Sequence, residues 1–421
     1  MIKSTNTINL SKPQILYIDM AYTHHMVEAR NLNQELDSRD SAGYFEHVWG
    51  IHPMADVPEG RPLKYDGFKP KVVQFAANQT IIEGESAYHS FLKFFYPLNF
   101  LLSQIQFTAY LIKLVKNENI SVILSTDPLY SGILGWVIKC FTKAKLVIWV
   151  VANYDEVYKA TGSLAMPRLF KRRWLEKNVI RFILKRADLI AGGNLNNYEY
   201  AITNGAPFNK STVFPIGKLI HRQHLLEPSL RNIDEVFVPG VRYYFIYVGR
   251  LTEVKHPDDV IKAFSEIHKI VPDSAVLLTG DGPMKEELTT LSKDLKIADR
   301  VIFLGNIDQM RLANVLAKCF AVLSPLTGRS LIEGALAGLP IVAYDRDWQV
   351  DFVQKNNAGL IVPFRDWNKM AEAAIDLVHH PAKAKEMAYA ARKAGLDAAD
   401  LNKLYEHEHK QFNKILNRKE V

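Results

Sequence analysis

Cysteine is almost missing: Cys140 and Cys319 are the two in 421 residues. They stand far apart with no CxxC pair or Cys/His cluster, which gives no basis for a disulfide framework or a zinc site and fits a reducing compartment. The opening stretch MIKSTNTINLSKPQ lacks the apolar core of a secretion signal, and no uncharged apolar run reaches the roughly 18 residues that a membrane span needs. A cytoplasmic location is therefore expected. Repeats of fixed period and low-complexity tracts are also lacking, and the basic residues carry no interleaved aromatic motif for stacking bases, so nucleic acid is not an expected partner. Lys and Arg number 52 against 45 Asp and Glu, a net charge of +7, and that field suits phosphates or anionic lipids without choosing between them.

What is present reads as ordinary globular protein, 48% hydrophobic and 23% charged, long enough for two domains of about 200 residues each. Short β-branched and aromatic runs alternate with helical patterns: QILYID, KVVQFAA, SVILST, KLVIWVVA and DLIAGG, then YFIYVG, AVLLTG, VIFLG, AVLSP and PIVAYD. Such alternation predicts parallel sheets with helices on both faces, hence two doubly wound, Rossmann-like α/β domains facing a cleft. The stretch Gly217 to Arg242, with Pro228 and Pro239, reads as the connection. This divides the chain into 1–220, 221–400 and a charged C-terminal helix, 401–421, that is able to pack back on the first domain. Ligands of such folds collect beyond the carboxyl ends of the strands.

There the second half concentrates its chemistry. Gly249 closes YFIYVG and Arg250 follows it, and Lys255 comes just before a helix start, a place that favours anions. After AVLLTG comes Gly280-Asp281-Gly282-Pro283, a tight turn whose glycines admit close backbone approach. After AVLSP, the amides of Gly328, Arg329, Ser330 and Leu331 open a further helix and form a potential diphosphate cradle, with Glu333 one turn in. A carboxylate at that position suits either vicinal ribose hydroxyls or the helix dipole.

Taken in order, VGRLTEVKHPDDVIKAF, LLTGDGPMKEEL, VIFLGNIDQMRLANVLAKCFAVLSP, SLIEGALAGLPIVAYD and NNAGLIVPFRDW resemble the group 1 glycosyltransferases, a family of retaining enzymes with the two-domain GT-B fold. The resemblance implies a nucleotide-sugar site in 221–400, with Arg250 and Lys255 on the diphosphate, Gly249, Gly280, Gly282 and Gly328 to Leu331 at the donor, and Glu333 on the ribose. It implies an acceptor-binding domain in 1–220, transfer of a sugar to an acceptor hydroxyl such as a lipid-linked or cell-surface glycan, and no metal or cofactor. A GT-B epimerase or hydrolase, or a non-catalytic nucleotide-sugar-binding assembly protein, stands as the alternative. Two departures bear on the donor sugar. Pro325 occupies the place of the first of the family's two Glu residues, and Asp345 to Asp351 replaces the usual Gly-Gly and following Glu. Arg329 is a candidate extra phosphate contact. Asp345-Arg346-Asp347 spells DxD, read as a structural or sugar-contact element rather than a metal site.

In the first half, His24 and His25 lie in the loop after QILYID and are candidates for acceptor, sugar or phosphate contact; Asp155, after KLVIWVVA, is the catalytic candidate of this half, at a position where related enzymes contact the donor sugar, with a helix cap or turn residue as the plain reading. The run Arg168 to Arg186 places Arg173, Lys177, Arg181 and Lys185 four apart, with Trp174 at the border, and suggests a helix resting on an anionic membrane surface. The aromatic-rich stretch Phe91 to Val115 is expected to pack its apolar face on the sheet.

Overall fold

The fold is given by a computed structural model, which describes residues 12–30, 33–230, 238–326 and 328–418. The chain forms two compact units: residues 1–156, 163–214 and 405–421 in one, 157–162 and 215–404 in the other. Apart from 157–162, the chain passes to the second unit between Phe214 and Pro215, where Ile220 is buried with Ile332, Leu336 and Ala399. At Gly217 a Cβ would come within 1.9 Å of the Ala398 carbonyl oxygen, so the backbone is closely packed there. The expected irregular connection contains single turns at Ile216–Leu219, Arg222–Leu225 and Pro228–Leu230, while its residues 231–237 lie outside the described residues, as do 1–11, 31–32, Thr327 and 419–421.

The first unit is built on β1 (Gln14–Ile18), β2 (His47–His52), β3 (Lys71–Ala76), β4 (Gln79–Glu83), β5 (Val122–Ser125), β6 (Lys145–Val150), β7 (Leu189–Gly192) and β8 (Ser211–Val213), in the order β3-β4-β2-β1-β5-β6-β7-β8. All pairings are parallel except β3 with β4, a hairpin that makes KVVQFAA an antiparallel edge strand rather than the parallel one expected. A single apolar layer that includes Phe107, Leu111, Ile138, Ile183 and Leu184 seats the helices Tyr96–Asn117, Tyr130–Cys140 and Arg173–Arg186 on one face of this sheet. The helix Leu401–Leu416 completes the same unit through Phe412, whose ring centroid lies 4.9 Å from Phe45 and 5.6 Å from Phe214.

The second unit has six parallel strands: β9 (Tyr243–Val248), β10 (Ser274–Thr279), β11 (Val301–Gly305), β12 (Ala321–Ser324), β13 (Ile341–Tyr344) and β14 (Gly359–Val362), ordered β11-β10-β9-β12-β13-β14. Alternate residues of each strand enter opposite layers, as with Phe245 and Tyr247 on one side and Tyr244, Ile246 and Val248 on the other. Both faces carry apolar layers, so these strands are predominantly apolar. The strand order reverses between β9 and β12, and a crevice beyond their carboxyl ends is where a ligand binds in this architecture.

Candidate functional site

Both loops that carry the predicted anion contacts arise at that reversal. Beyond β9 the chain makes a turn at Glu253–Lys255, His256 takes a left-handed φ of 50°, and Pro257 opens the helix Pro257–Ile270. Beyond β12 the helix Ser330–Leu336 begins, and Ser330 Oγ donates to the Val248 carbonyl at 2.8 Å, tying its start to the end of β9. Gly334 lets this helix lie against β12, since a Cβ there would meet Val322 Cγ2 at 2.6 Å.

Arg250 and Lys255 therefore sit at one end of one sheet. Among the described residues, no side-chain hydrogen bond or ion pair holds either cation. Burial and then the Arg250 guanidinium push the Lys255 ammonium below its ordinary range, while Asp347 pulls the other way. Two cations held close and incompletely countered form an anion site.

Around them several expected contacts take other roles. Gly280, at a φ of 124°, would bring a Cβ to 2.1 Å from the Gly249 carbonyl oxygen, and Gly282 would bring one to 2.3 Å from that of Leu251. The Gly280 amide donates to Gly305 and that of Gly282 to Asp281 Oδ1. These two glycines pack one loop's backbone on another. The Leu331 amide donates to the Gly328 carbonyl at 3.0 Å, which corrects its assignment to a free cradle, whereas a Cβ on Gly328 would meet nothing within 4 Å. Arg329 is also reassigned: Nε lies 3.2 Å from Glu333 Oε1 and Nη1 donates to the Leu219 carbonyl at 3.2 Å, because the carboxylate of Glu333, 2% exposed, draws the nearest cation.

Asp345 accepts from the Phe364 amide at 2.6 Å and Asp347 from the Trp348 amide at 2.7 Å, so each carboxylate of the DxD sequence serves its own turn. Sequence reading missed Gln349. Its buried amide donates to the carbonyls of Pro325 at 3.1 Å and Tyr344 at 2.9 Å, and it accepts from Ser324 Oγ at 3.2 Å, clamping the ends of β12 and β13. No local pattern marks it, since its partners come from two different strands.

In the first unit, His24 is held on both ring nitrogens, by Glu83 Oε2 at 2.7 Å on Nδ1 and Lys71 Nζ at 2.6 Å on Nε2, so its ring is not free to take a ligand. Glu59 completes a His24–Glu59–Glu83 group of potential ligand atoms within 4.8 Å of one another. Lys71, and Arg61 on Glu59 at 2.6 Å, already counter its charge. His25 is exposed on the next position.

Asp155, the catalytic candidate of this half, is held by three structural partners. Arg173 donates to Oδ1, Lys177 Nζ lies at 3.1 Å, and Asn204 Nδ2 donates to Oδ2 at 3.2 Å. Burial alone would raise its carboxyl; bonds from Asn204, Lys177 and Arg173 outweigh that and hold it below the usual carboxylate range. The same contacts remove Arg173 and Lys177 from the expected basic face: Arg173 bridges Asp155 and the fully buried Glu176, which also accepts from the Ala165 and Met166 amides. Trp174, Arg181 and Lys185 remain exposed.

The family model described as glycosyl transferases group 1 matches residues 231–394. This segment belongs to the group 1 glycosyltransferases. A GDP-mannose-dependent alpha-(1-6)-phosphatidylinositol monomannoside mannosyltransferase of Mycobacterium tuberculosis is 28% identical over 165 residues, 37% of this chain and 43% of that protein. The chain spans about half the length of the curated relatives it matches. Among solved structures, sucrose-phosphate synthase from Thermosynechococcus elongatus aligns at a TM-score of 0.72 and 17% identity, covering 96% of this chain and 99% of that one. The Anabaena protein HepE, solved in complex with UDP and glucose, aligns at 0.65 and 15%, covering 96% and 100%. The fold of the chain is thus GT-B, with two Rossmann-like domains built on largely parallel sheets.

Proposed function

We propose that the protein transfers a glycosyl group from a nucleotide-sugar to an acceptor hydroxyl, with retention of anomeric configuration and without a metal. The observation that carries this reading is the pair Arg250 and Lys255, held at the β9/β12 reversal with no side-chain partner among the described residues. A diphosphate brings the negative charge that such a pair lacks, and in the transfer step both cations stabilise the charge that grows on the leaving diphosphate as the glycosidic oxygen departs. Glu333, one turn into the adjoining helix, accepts from the ribose, and the Gly328 to Ser330 segment lies against the phosphates. Fixed cations take the part of a divalent ion. Support from similarity is of the same kind: the mycobacterial relative is named as GDP-mannose-dependent, and HepE was solved with UDP. The acceptor we assign is a lipid-linked or cell-surface glycan, reached from the cytoplasmic face of a membrane, with polysaccharide biosynthesis the matching role.

Thermal shift against UDP-, GDP-, CDP- and ADP-linked sugars tests the donor, since ligand at 100 times its dissociation constant adds about 2.7 kcal/mol of stability. With the responding donor, Arg250→Ala and Lys255→Ala should each lower turnover on the order of a hundredfold while the fold survives, and EDTA should leave transfer unchanged. Wild-type turnover in both variants at saturating donor would refute the clamp. Release of free sugar at the same rate with and without acceptor would instead favour a hydrolase.

A further inference from the structure

The helix Tyr96–Asn117 is inside out over its first half. Its buried side chains there are polar, and each is satisfied. Asn99 Nδ2 donates to the His89 carbonyl at 2.7 Å, Ser103 Oγ accepts from the Tyr88 amide at 3.0 Å, and Gln104 Nε2 donates to the Glu85 carbonyl at 3.1 Å. The apolar side chains point outward. Leu98, Leu101 and Ile105, spaced as one helical stripe, are 52%, 55% and 56% exposed, and Phe94, in the turn just before the helix, is 93% exposed. Only from Phe107 onward does the helix bury an apolar face, through Phe107, Leu111 and Val115. The expectation that this stretch simply packs on the sheet therefore fails for its first half.

By length and composition this helix could cross a bilayer, yet its hydrogen-bonded polar side fixes it along the domain surface. Charge identifies what covers the other side. From Ser86 to Asn117 there is no Asp or Glu, while Lys93, Lys113 and Lys116 are exposed. On the same face of the sheet, the helix Arg173–Arg186 exposes Trp174, Arg181, Lys185 and Arg186, and its one acid, Glu176, is buried. An apolar stripe among uncountered cations matches the acyl boundary and phosphates of an anionic bilayer. A second copy of this face would set cation against cation.

We propose that this face is where the protein rests on an anionic lipid surface, with Phe94 and the Leu98–Ile105 stripe entering the boundary between headgroups and acyl chains and the exposed cations at the lipid phosphates. The proposal uses surface properties alone and does not depend on the transferase reading. Flotation of the full chain with phosphatidylglycerol-containing vesicles, without donor or acceptor, tests it. The wild type should float, and Leu98→Gln/Leu101→Gln/Ile105→Gln should lose affinity on the order of a hundredfold. Arg181→Gln/Lys185→Gln should lose roughly tenfold or more at low salt and little at high salt. Thermal melts should match the wild type, because all five positions are exposed. Failure of the wild type to float, or flotation of the triple variant like wild type, would overturn the proposal. So would self-association that the triple variant abolishes while no protein floats, since the stripe would then join two copies.

Discussion

Asp155 shows how a charged residue at a strand's carboxyl end is claimed by structure. Asn153 Oδ1 accepts from its amide at 3.1 Å, and both carboxylate oxygens take donors from the later residues Arg173, Lys177 and Asn204. Its carboxyl is held below the ordinary value, so its stabilising contribution is present above the unfolded pKa and disappears as pH falls through the folded one. Asp155→Asn should cost about 1 to 3 kcal/mol at pH 7, and the gap to wild type should close as the pH drops below about 4. Chemical denaturation at pH 7 and at pH 3 measures both values; a gap that stays constant with pH would show that the ion pairs contribute nothing. Arg250 and Lys255 present the opposite case. Their loop position alone announced them, because no long-range partner among the described residues captures them.

At the scale of elements, glycine separates packing from ligand contact. Gly280 sits at a left-handed φ with the Gly249 carbonyl where a Cβ would be, so Gly280→Ala must displace the loop that carries Arg250, costing about 2 to 4 kcal/mol. Gly328 faces open space, and Gly328→Ala should stay within about 0.5 kcal/mol of wild type. Donor titration and denaturation of both variants check this: equal losses of stability would contradict the packing argument. The sequence showed β9 to β13 plainly because burial makes each a nearly continuous apolar run, but not β14, whose Gly359, Leu360 and Ile361 are only half-buried. β2, β4 and β8 carry His, Gln, Glu, Ser and Thr among their apolar residues, and went unrecognised for that reason. The helix Tyr96–Asn117 carries apolar residues on two stripes, one ending at Ile105 and one beginning at Phe107; periodicity reveals both but cannot tell which faces the sheet. Its inward Asn99, Ser103 and Gln104 bond to the segment Glu85 to His89, a pairing that only the fold creates.

At the scale of the whole molecule, the chain, after a brief excursion at 157–162, leaves its first unit at Phe214, builds the second, and returns from Tyr405 to finish the first. The returning helix is tightly integrated there. Phe412 is 2% exposed among Tyr44, Phe45 and Phe214. Ser41 Oγ donates to the buried Glu408 at 2.7 Å, Tyr44 donates to Asn413 at 2.8 Å, and His407 Nε2 lies 2.8 Å from Oγ1 of Thr212 in β8. Residues as many as 369 positions apart thus share one core, so the first unit reaches its full stability only when the last helix has docked. Phe412→Ala removes an aromatic ring from a closed site and should cost about 3 to 5 kcal/mol. The loss belongs to the first unit, whose strands β1, β2 and β8 should exchange amide hydrogens faster, while β9 to β14 keep their protection and donor-induced stabilisation persists. Hydrogen exchange resolved by peptide, with and without the nucleotide-sugar, reads both units in one experiment. Faster exchange confined to β9 to β14, or spread equally over all fourteen strands, would show that the helix does not belong to the first unit's cooperative core.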